Sequence, residues 1–479
     1  MRPVAKNPRP GQSPKVDEFR PICYASVLSK TISLVANAKV VEYCEQHGLF
    51  GLDQAGFRVG KNCQQAYCTV LEWARQRGLD GGVLIFFDVK GAFDSCQWSI
   101  MEAIMKAQGW GDQATGFLLS RLKVSVRIRD PVTGKTSRPI QKEAGTPQGE
   151  VLSPALFLVF MGVLLEAIAR ERSELGHSHV LQPSPGSRGT PWGQCGYADD
   201  YVAAATTWTE ACQVVAVVTE LFELAGLELG FRPVSQSGLA KKTAMMPFGL
   251  AADSFPRGWD DDIACTATEV NPSWVDQTWT VPRAKSYVYL GLLISTTRIR
   301  ATAAELGPGY QERDVIAIDM VPHVRRRVAM AMQQASIITR AAVDCDWSVR
   351  LHSQILYSGA LTSALYGIGA AGCATGWERF RGLEQRISVN YGVIMNAAVM
   401  SVVDRFLARM RWMLATGMAD RMPFAVEGRR LPKVALGSEV WLASAAGRTA
   451  RDLFELMRAP DRRGLPVVSH YIRTAYMCQ

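Results

Sequence analysis

The feature that most constrains this chain is a short unbroken apolar run, Val83-Leu84-Ile85-Phe86-Phe87, set between Gly81-Gly82 and an aspartate, Asp88. Its length, aromatic content and glycine flanks predict a buried strand. A second acidic pair, Asp199-Asp200, falls between two apolar segments that can fold as a hairpin around Tyr197–Tyr201. Taken singly, each aspartate has an ordinary structural reading, because Asp at a strand end or turn satisfies nearby backbone donors. On neighbouring strands of one sheet, however, the three can converge. Hard oxygen ligands of that type suit magnesium, which keeps waters and takes substrate phosphates as further ligands. Two such ions can clamp the attacking and leaving oxygens of an in-line phosphoryl displacement, as nucleotidyl transfer requires.

The surrounding pattern is mixed. Residues 1–20 are basic and proline-rich and read as an extended arm or hairpin. Residues 23–74 are mostly helical in pattern, with an interruption around Gly48–Gly60, and a helix bearing Trp98, Met101, Ile104 and Met105 on one face follows the strand. Val124, Val126 and Ile128 alternate before a turn near Pro131–Gly134, which predicts a hairpin over 124–140. A long helix is expected after Pro154 and another over Thr209–Ala225, with a loop at 181–194 and an irregular insertion at 250–280. The acidic run Asp260-Asp261-Asp262 in that insertion reads as a solvated loop. Beyond Ile294 the pattern predicts helix after helix. Val321, Val324, Val328, Ala331, Ala335 and Ile338 form an apolar stripe, with Arg325, Arg326, Arg327 and Arg340 on the other face. Trp377, Phe380, Leu383, Ile387 and Tyr391 repeat that spacing.

Composition narrows the partners. Lys and Arg total 53 against 44 Asp and Glu, a formal charge of +9 that favours polyanions without identifying nucleic acid by itself. The 11 cysteines include no C-x2-C pair, so they read as reduced thiols and support neither a zinc ribbon nor a dithiol motif. His177 and His179 have no matching ligand partners in the sequence and are expected at the surface. There is no signal peptide pattern, and the most apolar stretch, Ala155–Leu165, is too short to span a bilayer, so no membrane partner is expected.

Several segments then resemble one family in order. Phe86-Phe87-Asp88-Val89-Lys90-Gly91-Ala92-Phe93-Asp94 resembles the F-x-D-x-x-x-A-F-D motif of reverse transcriptases. Gly145-Thr146-Pro147-Gln148-Gly149-Glu150-Val151-Leu152-Ser153-Pro154 is similar to their G-x-P-Q-G-x-x-L-S-P, and Tyr197-Ala198-Asp199-Asp200 to their Y-x-D-D box. Phe19-Arg20-Pro21-Ile22, Gln54-Ala55-Gly56-Phe57-Arg58, Lys241-Lys242-Thr243, Tyr289-Leu290-Gly291 and Leu365-Tyr366-Gly367 resemble further elements. The alanine in the Y-A-D-D box resembles the form usual for non-LTR and group II intron enzymes, and the Q-x-G-F-R and L-Y-G resemble the non-LTR (LINE-type) retrotransposon enzymes more than the retroviral ones.

The resemblance implies an α+β right-hand polymerase with fingers, an antiparallel-sheet palm and a helical thumb. The expected divisions are fingers over 1–80, truncated at the N-terminus, and palm over 81–295 with fingers elements between about 110 and 145. A helical thumb over 296–400 and a helical extension over 401–479 complete the chain. Asp88 and Asp199 would hold two Mg2+ ions, Mn2+ being a possible substitute, with Asp200 in support and the Val89 carbonyl as an extra ligand. Phe93 would sit beneath the sugar and reject a ribose 2′-OH, or serve as a core phenylalanine. Gln148 and Gly149 would flank the incoming nucleotide and template. Arg20 and Lys15 would bind the triphosphate unless they are plain surface cations. Lys241 or Lys242 would protonate the pyrophosphate, and Tyr289-Leu290-Gly291 would form the primer grip. The implied partners are an RNA template, a DNA primer, their RNA–DNA hybrid and dNTPs. Protein partners are unknown, and an intracellular, nuclear location is expected. Two other readings stand beside this one: a catalytically silent or domesticated remnant that binds nucleic acid, and an intron-maturase-like protein.

Overall fold

The structure, a computed structural model, describes residues 2–5, 19–129, 133–177, 179–181, 190–231, 239–240, 243–254, 264–266, 280–306, 308–347, 349–361, 363 and 366–367. In chain order the elements are β1 (Arg2–Ala5), β2 (Phe19–Ile22), α1 (Val27–His47), α2 (Cys63–Arg77), β3 (Gly82–Phe87), α3 (Ala92–Ser95), α4 (Trp98–Ala107) and α5 (Asp112–Leu122). There follow β4 (Ser125–Val126), β5 (Ile140–Gln141), α6 (Ser153–Glu174), β6 (Val180–Leu181), β7 (Thr190–Pro191), β8 (Gln194–Tyr197), β9 (Asp200–Ala205) and α7 (Trp208–Leu224). The remainder comprises β10 (Leu239–Ala240), β11 (Ala244–Phe248), β12 (Ala264–Thr266), β13 (Thr280–Pro282), β14 (Ser286–Tyr289), β15 (Leu292–Ala301), α8 (Ala303–Leu306), β16 (Arg313–Asp319), α9 (Val321–Asp344) and α10 (Val349–Ile355), which runs into a π-helix at Leu356–Leu361. Two compact units form: Met1–Ala66 with Gly81–Lys285, and Tyr67–Asp80 with Ser286–Gln479.

The first unit is built on an antiparallel sheet of order β11-β3-β9-β8. Val83, Ile85 and Phe87 face a core formed with Phe157, Phe160 and Leu164 of α6 and Val214, Val218 and Phe222 of α7. Leu84 and Phe86 on the opposite face are equally buried, so both faces of β3 are covered. That is why its sequence is continuously apolar and does not alternate. The 22-residue α6 is long and apolar enough to cross a membrane by length alone. Its buried positions, from Ala155 round to Ile168, are nevertheless spent on this core. Gly162 lets the helix approach the chain at Phe50, where a Cβ would lie 2.7 Å from a backbone carbon.

The strand and helix expectations up to residue 254 correspond to β3, α4, α6, α7 and the β8–β9 hairpin. The expected 124–140 hairpin is β4 paired with β5, extended by an Arg129–Thr136 bridge. Within the expected loop at 181–194, β6 pairs with β7. In the 250–280 insertion the described parts are a 3-10 turn at Leu250–Ser254 and β12, which pairs with β13. The run 260–262 lies outside the described residues, as do the second helical stripe at 377–391 and the extension 401–479.

The second unit corrects one expectation. Helices do not begin at residue 296: β15 runs through that position and pairs with β14 on one side and β16 on the other. The segment Ile294-Ser295-Thr296-Thr297-Arg298-Ile299 is rich in β-branched residues that favour a pleated surface over a helix. The helical character begins with α9, in which Val321, Val324, Ala331 and Ala335 are buried, as the stripe predicts.

Candidate active site

The sheet register places the acidic residues. Phe87 of β3 pairs with Tyr201 of β9, so Asp88 and Asp200, one step further along, stand at the same end of adjacent strands. Tyr197 pairs with Asp200 across β8 and β9, leaving Ala198 and Asp199 as a two-residue turn. Adjacent strands lie about 4.8 Å apart, so the three aspartates crowd one edge. The crowding is felt by Asp200. Although it keeps contact with solvent, surrounding protein desolvates its carboxyl and the charges of Asp199 and Asp88 repel it, pushing its pKa up to about 7. A cation there would relieve that repulsion.

The donor set fits magnesium in a particular way. Among the described residues no three His, Cys, Asp or Glu side chains close round a point as a full protein cage. Magnesium does not need one, because it binds one or two carboxylates and completes its shell with waters and substrate phosphates.

The end of β3 is braced from behind. Asp88 N–H donates to Thr243 Oγ1 (3.2 Å), and Gly230 N–H donates to the Asp88 carbonyl (2.7 Å). Val89 is buried and bridges to Leu229. Thr243 thus serves the strand end, while Lys241 and Lys242 lie outside the described residues.

The loop at Gly145–Gly149 docks on the segment Phe93–Cys96 that follows β3. Thr146 N–H donates to the Phe93 carbonyl at 2.6 Å, and Gly145 N–H to that of Cys96 at 2.8 Å. Gly145 has φ +82°, and a Cβ there would fall 2.6 Å from the Asp94 Cα, so both conformation and space demand glycine. Asp94 is the anchor: Lys142 pairs with it at 3.1 Å and Gln148 Nε2 donates to it at 3.0 Å. The Gln148 side chain is therefore held by protein. Gly149, at φ +96°, packs against the Cys23 carbonyl, and Cys23 N–H donates to the Gln148 carbonyl. Phe93 is half-buried, stacked on Phe157 with centroids 4.2 Å apart, and edge-on to the exposed Phe57 at 6.4 Å. Arg20 lies in β2, opposite Val4 of β1; Lys15 lies outside the described residues.

The Gln54–Arg58 segment carries contacts that its motif does not reveal. Gln54 is fully buried. Its Oε1 accepts from Ala198 N–H and Gly56 N–H, both at 2.8 Å, and its Nε2 donates to the Ala198 carbonyl at 3.2 Å. Arg58 faces the other way, donating to Glu45 of α1 and to the Gly51 carbonyl.

Two histidine expectations are corrected. His179 is buried and donates through Nε2 to Glu210 (2.6 Å), and the nearly covered His177 bonds Gln213 (2.7 Å). Arg172 donates to the Gly193 and Ala204 carbonyls, both at 2.6 Å. Burial opposes ionisation of Glu210, yet hydrogen bonds from His179 and Thr206 prevail and hold its pKa at about 2.

In the second unit, Tyr289-Leu290-Gly291 forms the β14–β15 turn, with φ +48° at Leu290 and +79° at Gly291. Tyr289 itself is buried. Tyr366 Oη donates to the Leu290 carbonyl (2.5 Å), and Arg327 donates to that of Gly291 (2.9 Å) while lying 4.3 Å over the Tyr366 ring. Arg327 is thus engaged within the unit, unlike the exposed Arg325, Arg326 and Arg340.

The first unit is thus an α+β fold: an antiparallel sheet with acidic residues at one end of its inner strands, backed by helices. Residues 6–232 match the family model described as reverse transcriptase (RNA-dependent DNA polymerase). Solved structures similar to the chain include telomerase from Candida tropicalis (9% identity, TM-score 0.34, 87% of this chain and 57% of that one). Telomerase from Candida albicans is similar at 10% identity, with TM-score 0.34, 84% and 57% coverage. Both were solved with the TWJ fragment of telomeric RNA. The chain spans little more than half the length of either.

Proposed function

We propose that this protein copies RNA into DNA, extending a DNA primer with dNTPs by two-metal nucleotidyl transfer, and that it derives from a non-LTR retrotransposon. The observation carrying this reading is the shared strand end of Asp88 and Asp200 beside the Asp199 turn, within the stretch that matches the reverse transcriptase family model. Asp88 and Asp199 would hold two Mg2+ ions, for which Mn2+ can substitute, with Asp200 and the Val89 carbonyl completing the set. When bound, the ions supply charge stabilisation to the attacking and leaving oxygens.

The chain's own groups do the rest. Phe93, stiffened by its stack on Phe157, offers a fixed ring edge against which a 2′-hydroxyl would collide. Gln148, oriented by Asp94, lines the nucleotide and template side with Gly149. Arg20 and Lys15 would bind the triphosphate, Lys241 or Lys242 would deliver a proton to pyrophosphate, and the Leu290–Gly291 turn would grip the primer backbone. Palm, fingers and thumb are proposed names for the parts, with the thumb's helical portion starting at α9, and the location is proposed to be nuclear.

Primer extension on an RNA template with Mg2+ and labelled dNTPs tests the reading, with D199A/D200A alongside. Loss of several kcal/mol of charge stabilisation is a rate loss on the order of a thousandfold or more. Full-length DNA from the wild type, abolished by the double substitution or by chelating the metal, is the expected result. Equal hybrid binding with no extension by either protein would identify a silent remnant instead.

A further inference from the structure

We propose that Gln54 is a positioning residue: its carboxamide sets the Ala198–Asp199 turn and so places the Asp199 and Asp200 carboxylates. The inference rests on the polymerase reading of those aspartates. Ala198 has φ +56°, a left-handed conformation that a residue with a Cβ rarely adopts. It is also nearly fully buried, so its peptide groups depend on protein partners. One side chain supplies both. Gln54 Oε1 takes the Ala198 N–H and Nε2 meets the Ala198 carbonyl.

The direction of the carboxamide is determined, because Oε1 also accepts from Gly56 N–H. A flipped amide would set donor against donor at two places. A glutamate would turn an acceptor toward the Ala198 carbonyl, and an apolar residue would leave both Ala198 groups unsatisfied. Room for Gln54 comes from Gly196, whose Cβ would stand 3.2 Å from Nε2.

The support behind Gln54 is continuous. Gly196 N–H donates to the Asp53 carbonyl and Ala55 N–H to that of Gly196, at 2.9 and 2.7 Å, so the 53–55 segment adds itself to the edge of β8. Arg58 then ties the same loop to Glu45 on α1. The β8 and β9 strands are held by their own ladder; Gln54 is bonded to the turn at their tip. Its effect therefore falls on the carboxylate positions, and a misplacement of about 1 Å can lower a rate by about a hundredfold.

Gln54→Met keeps the volume and removes the hydrogen bonds. The test compares it with wild type by steady-state primer extension, hybrid binding, thermal unfolding and hydrogen exchange at the Ala198 amide. The expected result is faster Ala198 exchange by about tenfold or more and kcat lower by about 10- to 100-fold, with KM for dNTP and hybrid Kd within about twofold. If kcat stays within twofold, or the loss falls on KM or hybrid binding, the proposal is overturned. Should Gln54→Met fail to unfold cooperatively, Gln54→Glu decides by the same split. A wild type that extends no primer overturns the polymerase reading itself, whereas an active wild type with an unaffected variant overturns the Gln54 role alone.

Discussion

Gly56 and Ala198 approach each other so closely that a Cβ on Gly56 would sit 2.3 Å from the Ala198 nitrogen. The obstacle is backbone, which cannot rotate aside as a side chain would. Gly56→Ala is expected to push the turn outward, lowering stability by about 2–4 kcal/mol and abolishing extension; urea unfolding and primer extension read the two effects. At Phe93 the expectation concerns selectivity. Phe93→Val should raise ribonucleotide incorporation relative to deoxynucleotide by roughly a hundredfold, measured as the ratio of kcat/KM for ATP and dATP. The acidic residues were legible in the sequence because a buried strand and a hairpin announce their own ends. Gln54 was not: nothing in a Q-A-G-F-R string says that its glutamine points at a turn 144 residues away. Nor does the spacing of His177 and His179 reveal that Glu210, one turn into α7, lies in wait for them.

Among the elements, the β14–β15 turn is held by side chains from beyond its own strands. Tyr366 bonds one carbonyl of the turn and supports Arg327, which bonds the next. Tyr366→Phe removes one hydrogen bond while keeping the ring under Arg327, and should destabilise the second unit by about 1 kcal/mol. Tyr366→Ala also removes the ring, and a loss of about 3 kcal/mol is expected; chemical denaturation distinguishes the two. The α9 stripe was readable because its period is that of a helix. The strands before it were not, because Arg298 and Arg300 break the apolar alternation of β15 where its side chains meet Asp314 and Glu312 in solvent. Such cross-strand pairing is visible only once the register is known.

At the level of the whole chain, each unit holds a buried group that should respond to acid in its own window. His323 is fully buried, with Nδ1 accepting from Leu293 N–H (3.1 Å) and Nε2 donating to the Tyr366 carbonyl (2.9 Å). That pairing needs the neutral ring, and burial, with Arg327 and Arg326 nearby, lowers the pKa to about 4 from 6.5. The unfolded chain therefore binds the proton first, and the second unit should lose stability, on the order of 2–3 kcal/mol, as pH falls from about 6.5 to about 4. Glu210 in the first unit has a depressed pKa, so its contribution is present above about 4.5 and lost toward about 2. Hydrogen exchange at Leu292–Ala301 should thus rise at milder acidity than at Asp200–Ala205, and His323→Gln should flatten the first of these responses.

The strand order β11-β3-β9-β8 also bears on how the chain is made. β3 leaves the ribosome early, yet both of its neighbours are encoded far downstream. At about 5–20 residues per second, the wait for β9 is on the order of ten seconds. Through that interval Val83–Phe87 has two unpaired edges, and α7, one of its covering helices, is still unmade, a state prone to clumping with other nascent chains. Any message cut short before the codon for Asp200 would release a polypeptide trapped there, so a partner that shields nascent apolar strands should matter more to the yield of this protein than to its final stability.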